Sequence, residues 1–189
     1  MKRSRLSVLT FAIAAVCYAG TSHAADCANP RKAAGTMSEA SYRGVQNATD
    51  LLSKNKHGEA IEKLSKMAES GNDFEKAVVN YNLGFAYSSK NDYENATAAF
   101  ARALALNSLP QSQHEQLQFN LGQLYIVAGK FKEGIATLED YVANACAKIT
   151  PEAHLFLANA LSQQKRYPDA LTQLDAAISK APAPKENWL

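Results

Sequence analysis

Beyond its first 24 residues, the side chains of this sequence that could do chemistry are three histidines, two cysteines and scattered carboxylates. His57, His114 and His154 are far apart, and no HExxH, CxxC or CxxCH motif pairs any of them with a second metal ligand. No GxSxG nucleophile motif or glycine-rich phosphate loop occurs, and Asp and Glu stand singly. The sequence therefore predicts no catalytic site, no metal and no cofactor, and we interpret the histidines as surface or packing residues.

Cys27 and Cys146 are the two thiols that follow residue 24. In an exported protein such a pair tends to be oxidised, and two cysteines allow one intramolecular connectivity. Closing so long a loop would stabilise the fold by a few kcal/mol. Two unpaired thiols, or a bridge to another chain, are the alternatives that the residue count leaves open.

The first 24 residues have the order of charge and hydrophobicity of a Sec signal peptide. Lys2, Arg3 and Arg5 precede the apolar stretch LSVLTFAIAAV, and Ser22 and Ala24 provide the small residues of an A-x-A-type cleavage site. The apolar stretch is short for a bilayer span, although a short membrane anchor is the alternative. We therefore expect cleavage after Ala24, a periplasmic location and no integral membrane segment in the mature chain.

Removal of the signal peptide changes the net charge. The 189 residues include 20 basic and 18 acidic side chains, and three of the basic ones precede the cleavage site, so that 17 remain against 18. A mature chain near −1 lacks the basic excess of nucleic-acid-binding proteins. We expect neither nucleic acid nor a small-molecule substrate as a partner.

An internal repeat provides the elements that must position any functional side chain. The segments YNLGFAY (81–87) and FNLGQLY (119–125) share an aromatic residue, Asn-Leu-Gly and a tyrosine. Nine residues after each tyrosine comes a small residue, Ala96 or Gly134, and a large apolar residue follows four positions later. This pattern resembles the tetratricopeptide repeat, a helix–turn–helix unit of about 34 residues. The shared glycine is expected where the two helices of a unit meet too closely for a side chain.

The same register places four units within residues 37–184, at about 41–74, 77–110, 115–148 and 151–184. The resemblance implies an all-α, right-handed α-solenoid in which each unit contributes two antiparallel helices. We expect eight helices, at about 38–54, 58–70, 74–89, 93–106, 112–128, 131–147, 151–164 and 167–180. Residues 25–36 are expected to be irregular.

Residues 185–189 continue the register beyond the fourth unit. The segment KENWL places Trp188, the sole tryptophan, at the fourth position of a fifth unit, where the family has its signature tryptophan. We therefore expect 185–189 to be the start of a fifth repeat that is truncated. A short capping tail, with Trp188 folded back on the last helix, is the alternative.

The resemblance also indicates where a partner would bind. In this family, ligand contacts come from outward positions of the first helix of each unit, which together line a concave groove. The corresponding peptide- or partner-binding candidates here are Tyr42, Val78, Tyr81, Phe85, Gln116, Phe119, Gln123, Ile126 and Asn159, with Val45, Thr49, Ser88, Leu155 and Ser162 at further outward positions.

Four of these candidates, Tyr81, Phe85, Phe119 and Ile126, are expected to form one apolar and aromatic patch in the middle of the groove. Packing of the aromatic residues between adjacent units is the alternative. None of the candidates is Lys or Arg, so a clamp for a C-terminal carboxylate is not expected.

A second resemblance covers most of the chain after residue 36. Four segments look like parts of exported tetratricopeptide proteins associated with Ton-type energy-transducing systems: MSEASYRGVQNATDLLSKNKHGEAIEKL, FEKAVVNYNLGFAY, LYIVAGKFKEGIATLEDYV and KENWL. This resemblance implies a non-catalytic periplasmic scaffold that binds a peptide or partner helix within a Ton-type outer-membrane uptake system. The alternative is a regulatory subunit or adaptor for another cell-envelope machine, such as peptidoglycan or outer-membrane assembly enzymes.

Overall fold

The computed structural model describes residues 27–181, which contain helices and turns but no strand. In chain order the helices are α1 (Glu39–Ser53), α2 (His57–Ser65), α3 (Asp73–Ser88), α4 (Tyr93–Ala105), α5 (Gln111–Val127), α6 (Phe131–Asn144), α7 (Pro151–Gln163) and α8 (Tyr167–Lys180). None of these helices is long and apolar enough to cross a lipid bilayer. The expected signal peptide and the expected start of a fifth repeat lie outside the described residues.

The helices are stacked in the order of the chain. Each packs against the helix that precedes it and the helix that follows it, and the pairs α3–α4, α5–α6 and α7–α8 have the most extensive contacts. Further contacts join α1 to α3 and α5 to α7, the first helices of successive units. This arrangement confirms the predicted all-α solenoid of helix–turn–helix units.

Two glycines allow the helices within a unit to approach each other. A Cβ atom on Gly84 would collide with the ring of Phe100, and one on Gly122 would lie 2.6 Å from Cγ of Leu138. Both large side chains are buried on the second helix of the same unit. The close approach that the repeat pattern predicts is therefore present in both units.

The turn within each unit reverses the chain through one residue with positive φ. These residues are Asn55 (58°), Asn91 (58°), Gly129 (76°) and Lys165 (60°). In each case the N–H of the next residue bonds back to the carbonyl five residues earlier, which closes the end of the first helix. Asn and Gly adopt this conformation readily, whereas Lys does so at a cost, so the fourth unit has the least favourable turn.

Residues 27–38, which we call the N-terminal strap, lie across the ends of several units. Cys27 forms a disulfide with Cys146, with the two Cα atoms 5.2 Å apart. The N–H of Gln111 donates to the carbonyl of Arg31 (2.8 Å), and the N–H of Ala34 donates to the carbonyl of Ser108 (2.9 Å). Of the pairings that the sequence left open, the structure contains the intramolecular Cys27–Cys146 bridge. The strap thereby links unit 1 to the end of unit 3.

Two helices, α2 and α6, end several residues earlier than the sequence predicts. Helix α6 ends at Asn144 rather than near 147. The backbone N–H groups of Cys146 (2.7 Å) and Ala147 (3.0 Å) donate to the Glu115 carboxylate instead of to carbonyls of the helix. Helix α2 ends at Ser65 rather than near 70, because the following N–H groups, such as that of Met67, bond to carbonyls three residues back. Both differences arise from local hydrogen bonds that hydrophobic periodicity does not encode.

Candidate partner-binding groove

The nine principal candidates for partner binding lie on the first helices of the four units, and every one keeps part of its surface accessible. Four are exposed, namely Tyr42, Phe85, Gln116 and Asn159, and five are partly buried, namely Val78, Tyr81, Phe119, Gln123 and Ile126. Among the further candidates, Thr49 and Ser162 are exposed and Ser88 and Leu155 are partly buried. These first-helix positions form the face that we call the groove.

Val45 is the exception, and its assignment to the groove is wrong. Its side chain is 9% exposed and belongs to the buried cluster that contains Ala48, Leu64 and Leu83. Helix α1 packs against both α2 and α3, so this position of the divergent first unit faces the core. The groove on α1 is therefore left with Tyr42 and Thr49.

Tyr81, Phe85 and Phe100 form an aromatic cluster between α3 and α4. The ring of Phe85 lies edge-on to Tyr81 at 4.9 Å and to Phe100 at 5.0 Å between centroids, a favourable aromatic geometry. Phe100 is buried, whereas Phe85 remains 38% exposed. Burial raises the pKa of the Tyr81 phenol. Phe85 is therefore an open apolar ring on a rigid support.

Phe119 and Ile126 pack toward the second helix of their own unit and toward the next unit, not toward Tyr81 and Phe85. The ring of Phe119 lies 5.2 Å from that of Tyr141 on α6, and Phe119 also packs against Ile149 and Ala153 at the start of the next unit. Ile126 covers Gly134 and packs against the cluster shared by α6 and α7. Within residues 27–181 no ring contact joins Phe119 to Tyr81 or Phe85, so these residues belong to separate clusters. Packing between adjacent units describes Phe119 better than membership of one central patch.

Two of the polar candidates, Gln116 and Asn159, are held by neighbours one helical turn away. The amide of Gln116 donates to Asn120 (2.9 Å), and the Asn159 amide oxygen accepts from Gln163 (3.2 Å). A side-chain amide has several donor and acceptor positions, so one local bond leaves others for a peptide backbone. The local bonds orient these two side chains but do not use all of their hydrogen-bonding capacity.

Two of the three histidines, His154 and His114, lie in unrelated environments. His154 is buried, with Nδ1 2.8 Å from Oε1 of Gln173. His114 Nδ1 lies 3.2 Å from the Arg31 guanidinium, and burial together with that positive charge lowers the pKa of His114 to about 4. Between residues 27 and 181 no three His, Cys, Asp or Glu side chains converge on a position that could hold a metal.

Comparison with known proteins decides the family. A tetratricopeptide repeat model matches residues 119–186, and a second tetratricopeptide repeat model matches residues 77–108. Together the two matches cover more than half of the 189 residues. The chain belongs to the tetratricopeptide repeat family.

Solved structures of tetratricopeptide proteins share the fold. MamA from Desulfovibrio magneticus RS-1 is 20% identical, with 78% of each chain covered and a TM-score of 0.65. A kinesin light chain with nearly identical repeats from Podosopora anserina is 18% identical, with 76% of each chain covered and a TM-score of 0.60. BtubC from P. vanneervenii is 16% identical over 77% of this chain and 67% of its own, with a TM-score of 0.62. No curated protein sequence matches the chain.

One polar cluster of this tetratricopeptide chain was not found by sequence reasoning. The carboxylate of Glu115 is buried and accepts from the Gln111 side chain (2.6 Å) as well as from the N–H groups of Cys146 and Ala147. Burial alone would raise the pKa of Glu115, but these hydrogen bonds outweigh it and lower the pKa. The cluster joins the start of α5 to the segment after α6 beside the disulfide, a contact for which the sequence contains no periodic signal.

An apolar surface at the last tetratricopeptide unit was also missed. A cavity of about 590 Å³ opens between α7 and α8, and its lining consists of Leu155, Ala158, Asn159, Ser162, Tyr167, Ala170, Leu171 and Leu174. Tyr167 is 56% exposed and Leu171 is 60% exposed. We call this surface the end face. Asn159, a groove candidate, lies at the border between the groove and the end face.

Proposed function

We propose that the protein is a non-catalytic periplasmic scaffold that binds a peptide or partner helix in the groove formed by α1, α3, α5 and α7. The tetratricopeptide family generally lacks catalysis and acts in protein–protein interaction. The observation that carries the proposal is the exposed Phe85 ring, held in place by Tyr81 and Phe100.

The composition of the groove defines the class of partner. Phe85 supplies an apolar anchor, and aromatic anchors on rigid supports contribute strongly to binding. Gln116 and Gln123 supply amides that suit the backbone of an extended segment or the polar side of a helix. Because none of the nine principal candidates is charged, we expect the affinity to depend weakly on salt.

The groove is tested by Phe85→Ala combined with Gln123→Ala. We expect this variant to remain folded and to lose its partner in capture experiments from envelope extracts, with a photocrosslinker at Gln116 to report direct contact. The control is Val127→Ala, which removes an apolar side chain that is 57% exposed at the end of α5. Retention of every partner by the folded double variant would contradict groove binding.

The periplasmic location is proposed from the signal-peptide pattern of the first 24 residues. It is tested by cell fractionation and by intact mass, with a mature N-terminus at Ala25 as the expected result. Retention in the cytoplasmic fraction with an uncleaved N-terminus would overturn this part.

The identity of the captured partner separates the two cellular roles. We propose a Ton-type uptake system as the context, because the second sequence resemblance covers the helical units. Recovery of Ton components supports this context, whereas recovery of peptidoglycan or outer-membrane assembly enzymes supports the alternative adaptor role.

A further inference from the structure

Leu171 lies at a register position that is buried beneath the next helix in the second and third units. The unit register aligns Leu171 with Thr97 in the second unit and Ile135 in the third. Thr97 is 1% exposed and Ile135 is 4% exposed, whereas Leu171 is 60% exposed. The same contrast holds for Tyr167, which is exposed while its counterparts Tyr93 and Phe131 are partly buried.

The side chains that cover the internal counterparts are leucines of the next first helix. Ile135 and Leu138 share a buried cluster with Leu157 and Leu161 of α7. In the preceding unit, Phe100 and its neighbours share a buried cluster with three leucines of α5, namely Leu117, Leu121 and Leu124. The copies of the end face in the second and third units are thus each covered by a helix with leucines spaced four residues apart.

We propose that the end face binds, in trans, an amphipathic partner helix with leucines at positions i and i+4. The pair Leu171 and Leu174 corresponds to Ile135 and Leu138, so a helix with the spacing of Leu157 and Leu161 fits it. The nearby charge of Arg166 is already paired with Glu139 (3.0 Å) and Asp169 (2.6 Å). Docking of an apolar helix therefore leaves no unpaired Arg166 charge to be buried.

A second copy of the chain matches the end face less well. The first helix of a second copy would bring Arg43, Asn47 and Asp50 to the positions of the α5 leucines, and charged side chains against leucine are costly. A separate helix with leucines is the occupant that the internal precedents favour.

The test uses a fluorescein-labelled peptide of residues 149–165, ITPEAHLFLANALSQQK, added to the intact protein. We expect a saturable rise in anisotropy, of modest affinity because a short peptide must fold as it binds. Leu171→Glu in the protein should weaken binding about tenfold or more, and a peptide with Leu157→Asp and Leu161→Asp should not bind. The matched control Val127→Glu, on an exposed residue of another helix, should bind normally.

Several results would overturn the proposal. These are absence of saturable binding, equal loss with Leu171→Glu and Val127→Glu, a shift of Trp188 emission by Leu171→Glu without peptide, or a dimer that Leu171→Glu dissociates. The third result would assign the end face to residues 182–189, and the fourth to a second copy. Unchanged peptide binding by the Phe85→Ala variant is expected, which keeps this test separate from that of the groove.

Discussion

The first and last helices of the described stack, α1 and α8, have outer surfaces of opposite character. At the N-terminal end, α1 turns Arg43, Asn47 and Asp50 to solvent, and the strap is tied to the stack by hydrogen bonds and a disulfide. At the C-terminal end, α8 leaves Tyr167 and Leu171 exposed. A repeat stack needs a polar outer surface where it stops, so the first end is capped and the second has the surface of an internal interface.

Side-chain hydrogen bonds also join α1, α3 and the strap at the N-terminal end. The carboxylate of Glu75 accepts from the Ser38 hydroxyl (2.7 Å), the Ser38 N–H (2.9 Å) and the Asn72 N–H (2.9 Å), and it thereby joins the start of α1 to the start of α3. Asn72 in turn donates to the carbonyl of Thr36 in the strap (3.0 Å). These bonds hold the capped end in one arrangement.

The largest contrast is expected between Ile135→Asp and Leu171→Asp, which change the same register position. Ile135→Asp places a carboxylate in a buried apolar cluster and should lower the free energy of unfolding by at least about 4 kcal/mol. Leu171→Asp alters an exposed side chain and should change it by less than about 0.5 kcal/mol. Urea unfolding followed by circular dichroism measures both. Similar losses for the two variants would show that Leu171 is covered.

The next contrast concerns the disulfide, which fastens the strap. Cys27 and Cys146 are separated by 119 residues, and loss of the bridge in Cys27→Ser/Cys146→Ser should cost about 3 kcal/mol. Reduction of the wild-type protein should produce a similar loss and should not affect the double variant. If reduction lowers the stability of the double variant equally, the effect does not arise from this bridge.

The repeat register accounts for most of what the sequence could predict. Gly84 and Gly122, with the large side chains that cover them, recur at fixed spacing, and such local periodicity determines the helices and their order. The strap is different, because the pairing of Cys27 with Cys146 and the bonds of Glu115 join residues that are remote in sequence and show no period. No pattern in one sequence specifies such contacts, so the pairing stayed open until the structure was known.

The groove was predicted with less precision for a related reason. A register assigns a side chain to one side of a helix, but the neighbouring helices decide whether it is covered. Val45 is buried because α1 packs on both α2 and α3, and Phe119 is partly buried because the next unit reaches its ring. Phe85 packs edge-on against Tyr81 and Phe100 of its own unit and remains 38% exposed.

A smaller effect is expected when acid weakens the capped end. Hydrogen bonds from the Ser38 hydroxyl, and from the N–H groups of Asn72 and Ser38, lower the pKa of Glu75 to about 2, against an ordinary value of 4.5. The lowered pKa contributes stability that is present above pH 4.5 and is lost as the pH falls towards 2. Unfolding curves from pH 7 to pH 3 should therefore show a wild-type advantage over Glu75→Gln that shrinks with acid. A constant difference would exclude this cause.

His114, which lies on α5 beside Arg31 of the strap, acts over a higher pH range. Its pKa falls from 6.5 to about 4, through burial first and then the charge of Arg31, so the unfolded chain takes up a proton that the folded chain does not. Stability should therefore decline as the pH falls from 6.5 to 4, and His114→Gln should remove that part of the decline. An NMR titration of the His114 ring with a midpoint near 6.5 would contradict the lowered pKa of His114 and the pH dependence expected from it.

The smallest effect is expected at the turn of the last unit. Lys165 adopts a φ of 60°, and the corresponding turn residues of the other three units are Asn55, Asn91 and Gly129. Because asparagine tolerates this conformation better than lysine, Lys165→Asn should stabilise the protein by about 0.5 kcal/mol. The reverse change, Asn91→Lys, should destabilise it by a similar amount, and both are measured by urea midpoints. Because the backbone N–H of Lys165 bonds to the carbonyl of Ser162 whichever side chain is present, a gain would reflect the conformational preference of the residue rather than a new contact.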